Sequence, residues 1–158
     1  NDFRRVSLMR DIQSGGSAAS ATTLRGTKAI LVTSPSGTFT VDEEINQATT
    51  GAVGKVVEWD SSNNILYFIQ TRFNDEGVDS NGNLTAFSGA NAITGQSSSA
   101  SATPNTSNST TTNGVEFSSG YSNPELAFDS GDMIYVEERS PITRASDQTE
   151  NIKLIIEF

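Results

Sequence analysis

A chain of 158 residues can bury a core in one domain or two small ones, yet only 34% of it is hydrophobic. Its 10 basic and 19 acidic residues give a net charge of -9, a field that repels polyanions and argues against nucleic acid as a partner. With neither Cys nor His there is no disulfide framework, no thiolate metal site and none of the usual general base, and no apolar run approaches the roughly 18 residues of a membrane span.

In chain order, Phe3 to Met9 reads as a strand with Val6 and Leu8 on one face. Gln13 to Ala21 is small and polar, the composition of a linker. Thr27 to Thr33 predicts a strand ended by the turn residues Ser34-Pro35-Ser36-Gly37, and Thr38 to Val41 predicts another. Val53 to Trp59 and Ile65 to Thr71, separated by Asp60-Ser61-Ser62-Asn63-Asn64, form the clearest hairpin. Asp75 to Asn83 is a polar stretch, and Leu84 to Ile93 returns to extended structure. Gln96 to Asn113, nearly all Ser, Thr, Asn and Ala, offers too little apolar area to offset its ordering entropy and predicts a mobile loop. Pro124 to Phe128 predicts one helical turn capped by Asn123, followed by strand Met133 to Glu137. The final run alternates Ile152, Leu154, Ile156 and Phe158 with Lys153, Ile155 and Glu157, so one face is wholly apolar.

A weak internal repeat has an offset of 48 residues: Phe39, Ile45 and Gly51-Ala52 are echoed by Phe87, Ile93 and Ser99-Ala100. It reads either as two similar units of one β-barrel or as a duplicated hairpin module.

Little of the chain carries chemistry. Asp79-Ser80-Asn81-Gly82-Asn83 has the oxygen spacing of half a calcium loop, but Ala90 stands where the closing Glu would be, so a glycine-bearing hairpin loop is the expectation. Asp42-Glu43-Glu44 reads as a solvated turn. Serines are abundant, but no His and no Gly-x-Ser-x-Gly turn activates one. Neither a catalytic residue nor a cofactor or metal site is expected. Trp59, Tyr67, Phe68 and Phe73 could stack on sugar as an exposed platform, or could supply a core. Arg139 and Arg144 flank Pro141 among Glu137, Glu138, Asp147 and Glu150, and an Arg fork can pin a loop or a partner carboxylate. Glu137, Arg139, Pro141, Arg144, Asp147 and Gln148 are therefore the candidate assembly interface.

The run Ser130-Gly131-Asp132-Met133-Ile134-Tyr135, then Glu137, Arg139, Pro141-Ile142 and Asp147-Gln148-Thr149-Glu150, resembles the C-terminus of the baseplate wedge subunit called gene product eight in T-even-like contractile-tailed phages. Glu138 and Ser140 depart from the family pattern. Phe3-Arg4-Arg5-Val6-Ser7-Leu8 is similar to a strand further upstream in the same family. Gly37 to Ile45 with Thr50 to Val57 resembles small β modules of marine relatives.

The resemblance implies a non-enzymatic structural protein in the virion, at the tail baseplate, made in the host bacterial cytoplasm. It implies other wedge proteins as partners and a homodimer, with no membrane. It also implies that this chain, which opens without Met, is the C-terminal part of a longer subunit. The expected fold is mainly β, with sandwich- or barrel-type sheets and at most one or two short helical turns. A split frame sheet of N- and C-terminal strands (1–12 and 115–158) would carry an inserted β-barrel (22–95), with flexible linkers at 13–21 and 96–114. The apolar face of the frame would be covered by the insert or by a second copy. The other functional reading is a β-barrel that presents aromatic residues to host-surface glycan.

Overall fold

The computed structural model describes residues 4–71 and 76–139, and among these the regular elements are all strands. In chain order they are β1 (Arg4–Arg10), β2 (Gln13–Ser14), β3 (Ser17–Ala18), β4 (Lys28–Ser36), β5 (Glu44–Gln47), β6 (Ala52–Asp60) and β7 (Ile65–Ile69). There follow β8 (Ile93–Gly95), β9 (Ser101–Pro104), β10 (Thr111–Thr112), β11 (Val115–Glu116), β12 (Tyr121–Ser122) and β13 (Asp132–Arg139). The fold is mainly β, as expected. Six strands in the order β4-β7-β6-β5-β8-β9 form a barrel, which closes where β9 pairs with β4. Apart from it, β1 and β13 form a two-stranded ribbon.

The predicted hairpin is present: Trp59 pairs with Leu66 and Asp60 with Ile65, with a bulge between Val56 and Glu58. Asp60 ties the loop, its Oδ1 accepting the amides of Ser62 and Asn63 at 3.1 Å each. β4 explains its own continuous apolar run. Ile30 and Val32 point into the barrel, while Ala29 and Leu31 point outward and are buried beneath Val115 and Phe117. A strand covered on both faces loses the polar alternation of a half-exposed one. The outer cover is the β10–β11 hairpin, turned by Asn113 (φ 48) and Gly114 (φ 76), a pair suited to the left-handed region.

Several expectations are corrected. The stretch 96–114 is not a mobile loop but supplies β9, β10 and the turn before β9. Its small residues are the reason: Ala100 and Ala102 face the large side chains of the barrel core, and β9 is hydrogen-bonded to β8 and to β4. Barrel closure thus supplies the ordering energy that composition alone does not. Likewise 13–21 includes the hairpin β2–β3, turned at Gly15 (φ 58) and Gly16 (φ 80). Thr38 to Val41 is not a strand. Its Phe39 is buried edge-on against Trp59, with ring centroids 5.4 Å apart, and the strand begins at Glu44.

Asp42-Glu43-Glu44 is only partly a solvated turn. Asp42 is exposed and lies 3.4 Å from Lys55, but Glu43 is buried at 6% exposure. Its carboxylate accepts the amides of Thr40 (2.6 Å), Ser97 (3.2 Å) and Ser98 (2.9 Å) and the hydroxyls of Ser97 (3.1 Å) and Ser98 (2.7 Å). Gly95 leaves room for it, since a Cβ there would lie 2.6 Å from Oε2. Burial pushes the Glu43 pKa up, but these donors outweigh it and hold the group below the usual range.

The internal repeat maps onto a pseudo-twofold axis. Asn46 pairs with Thr94 and Ile45 with Gly95, so β5 and β8 cross with equivalent residues facing one another. Phe39, Ile45 and Ala52 and their counterparts Phe87, Ile93 and Ala100 all join one core. The turns match too: Gly51 N donates to Gln47 O (2.9 Å) and Ser99 N to Gly95 O (3.1 Å), with φ of 76 and 57 at Gly51 and Ser99.

These contacts make three predictions. Chemical denaturation should show Ser99→Gly stabilising the protein and Gly51→Ser destabilising it, each by about 1 kcal/mol, because only the left-handed backbone distinguishes the residues. Glu43→Ala should cost about 3 kcal/mol by leaving buried donors unpaired. The Glu43 contribution is fully present above its unfolded pKa of about 4.3 and is lost as pH falls through its lower folded value. Melting curves taken downward from about pH 5 should therefore lose stability more steeply in the wild type than in Glu43→Gln.

Candidate assembly surface

β13 carries four successive apolar residues, Met133-Ile134-Tyr135-Val136, and successive strand residues face opposite sides. Within a larger sheet such a run would be buried on both faces. In this ribbon it is open: Met133 is 60% exposed, Ile134 62% and Tyr135 48%, and Leu8 on β1 is 58% exposed. Leu8 faces Tyr135 across the pair and Met9 faces Met133, with Ile134 as the extra residue of a bulge. The pairing of the two chain ends is as expected, but the barrel does not cover the ribbon's apolar residues. Its hairpins and β12 are spent on closing and covering the barrel itself.

Ribbon and barrel are joined by two chain segments that run side by side. Gln13 N donates to Ser130 Oγ and Ala127 N to Gln13 O, both at 2.9 Å, and Ser14 bridges Leu126. Glu125 N donates to Arg25 O at 2.8 Å. These tertiary bonds take the backbone groups that the predicted helical turn at Pro124 to Phe128 would need, and that turn is absent. Arg25 is the central side chain of this neck. Its guanidinium donates to Ser122 Oγ and Asn123 O, both at 2.8 Å, and to Thr27 O. Glu125 Oε2 accepts the Arg25 amide at 3.2 Å, and its Oε1 lies 3.8 Å from Arg25 Nε. A polar cavity of about 390 Å³ opens here between Thr22, Thr23, Glu116 and these residues.

Of the candidate interface residues, Glu137 and Arg139 lie on β13, opposite Val6 and Arg4. Pro141, Arg144, Asp147 and Gln148 lie outside the described residues, so the six are not seen together. Among the described residues, Trp59, Tyr67 and Phe68 do not share one exposed face. Phe68 is buried, Trp59 packs on the barrel core and Tyr67 on the outer cluster, and Phe73 is outside the described residues. Asp79 closes a hairpin loop, accepting the amides of Asn81 (2.8 Å) and Asn83 (2.9 Å), with Val78 bridged to Leu84. Sequence reasoning missed Arg25 and Glu125, and placed Glu43 in a solvated turn instead of a buried site. Their only local signal is an isolated charge in otherwise small, polar or turn-forming sequence.

The sequence matches the family described as Bacteriophage T4, Gp8, over residues 57–158, well over half of the chain. The chain belongs to the Gp8 family of baseplate wedge subunits. It is accordingly a structural protein of the phage tail baseplate, located in the virion. The Gp8 match begins within β6 and runs through β13, so it takes in the end of β6, the barrel strands β7, β8 and β9, and one strand of the ribbon. β1 lies outside it. No curated protein and no solved structure matches the chain.

The exposed ribbon residues should contribute little to the fold of the isolated chain. Ile134→Ser combined with Val136→Ser is expected to shift stability by no more than about 0.5 kcal/mol per site while reducing binding of a hydrophobic dye. Unfolding curves and dye fluorescence on the same samples check both.

Proposed function

We propose that the chain acts by protein–protein assembly, without catalysis, and that the β1–β13 ribbon is its docking element in the baseplate wedge. The observation that carries this reading is the run of exposed apolar residues on a two-stranded ribbon. An isolated pair of strands is marginal by itself, and among the described residues no third strand joins this ribbon, so strand addition from another chain is the mode of docking that its topology suits. The partners are other wedge proteins and a second copy of this subunit. Glu137, Arg139, Pro141, Arg144, Asp147 and Gln148 are the residues proposed to set the register of docking through their charges and the turn at Pro141. Charged rims serve specificity, while the apolar centre supplies affinity.

In this reading the chain has two parts. The β1–β13 ribbon, within the frame expected at 1–12 and 115–158, docks, and the barrel, which extends past the expected 22–95 to β9 and is covered by β11 and β12, is carried on it and decorates the surface. The subunit would be made in the host bacterial cytoplasm before joining the tail.

Pull-down of the subunit with wedge proteins tests the proposal. Tyr135→Ser with Ile134→Ser should reduce partner recovery about tenfold or more, as expected for central apolar anchors. Arg139→Ala with Arg144→Ala should reduce it less and make it more sensitive to salt. Undiminished recovery with the first pair would remove the ribbon as the docking element, and with the second pair would remove the charged rim.

A further inference from the structure

We infer that Arg25 is a clamp that locks the barrel to the ribbon, so that the two move as one rigid body. This concerns how the barrel is held and is independent of which surface docks. The low-complexity composition of 13–21 suggests a tether, but the geometry points to a continuous two-chain ladder. It starts in the ribbon, where Arg10 pairs with Asp132. It continues through Gln13 with Ser130 and Ala127, Ser14 with Leu126, and Arg25 with Glu125 and Leu126. It ends in the barrel, where β12 pairs with β4 through Ser122 with Ala29 and Tyr121 with Ile30. Gly131 (φ 88) allows close passage at the ribbon end, where a Cβ would sit 2.8 Å from Arg10 O.

Within this ladder the Arg25 side chain makes three hydrogen bonds that reach both segments. Its guanidinium spans from Thr27 on the segment leading into the barrel to Ser122 and Asn123 on the segment leading out. Only a planar fork with several donors in fixed directions can hold such acceptors at once, and a lysine cannot. Glu125 returns the contact by accepting the Arg25 backbone amide. Both side chains are largely shielded from solvent, at 14% and 26% exposure, so the contact is less screened than a surface pair.

NMR relaxation of the full chain, with thermolysin digestion of the same samples, tests the clamp. In the wild type, amides of β4, β6 and β7 and amides of β1 and β13 should report one common rotational diffusion. Arg25→Ala should separate the ribbon from the barrel and speed cleavage near Leu24 and Ala127 about tenfold, since cleavage follows the open population. The barrel amides of Arg25→Ala should keep their wild-type dispersion, which separates an unlocked neck from an unfolded protein. Arg25→Lys should resemble Arg25→Ala. Independent tumbling in the wild type, common tumbling in Arg25→Ala, or full rescue by Arg25→Lys would each overturn the clamp.

Discussion

β4 is the strand on which the structure depends. One edge pairs with β7 along Lys28 to Leu31, and the other is shared end to end by β12 at Ala29–Ile30 and β9 at Val32–Ser36. Its inner face is core and its outer face lies beneath the β10–β11 hairpin. Closing a sheet on itself removes the exposed edges that an open sheet would have to protect. Here the closing contact is made by a segment with almost no large apolar side chain. It succeeds because small residues fit opposite Phe39, Phe87 and the buried isoleucines, and because closure pairs β9 with a strand on each edge.

Around this closure the barrel is two similar halves with different polar fittings. On one side the Glu43 carboxylate enters the 96–99 turn of the other half and takes five donors. On the other side the Gln47 amide donates to Asn91 O (2.8 Å) and accepts from Ser88 N (2.9 Å) and Thr50 Oγ1 (2.8 Å). Where one half has Gln47 the other has Gly95, whose missing side chain is the space for Glu43. Twofold packing of the apolar positions is thus combined with one-sided polar latches, which fix which turn meets which. Buried polar groups of this kind are costly unless fully paired, and they favour one arrangement of similar parts over another.

The ribbon has the opposite economy. The barrel resolves its own edges and faces, whereas the ribbon leaves apolar residues open on a chain of the Gp8 family, whose place is a multi-subunit baseplate. The neck between them is polar and well paired. An open apolar ribbon and a barrel that buries its own core are therefore joined by two chain segments held by backbone and side-chain hydrogen bonds.

Much of this was readable from sequence. The β6–β7 hairpin followed from two β-rich runs around a polar loop, the pairing of the chain ends from their resemblance to one family, and the repeat from Phe39, Ile45 and Ala52 with their counterparts. Local pattern determines the hairpin because turn residues and apolar spacing act over a few neighbours. Only the tertiary structure decided that Ala100 and Ala102 lie in a core, that Glu43 is buried rather than solvated, and that Arg25 grips both segments of the neck. Each depends on partners far along the chain: β4 for β9, Ser97 and Ser98 for Glu43, Ser122 to Glu125 for Arg25. Composition sets how much apolar surface a segment can bury on its own, but barrel closure and long-range hydrogen bonds set what the segment does.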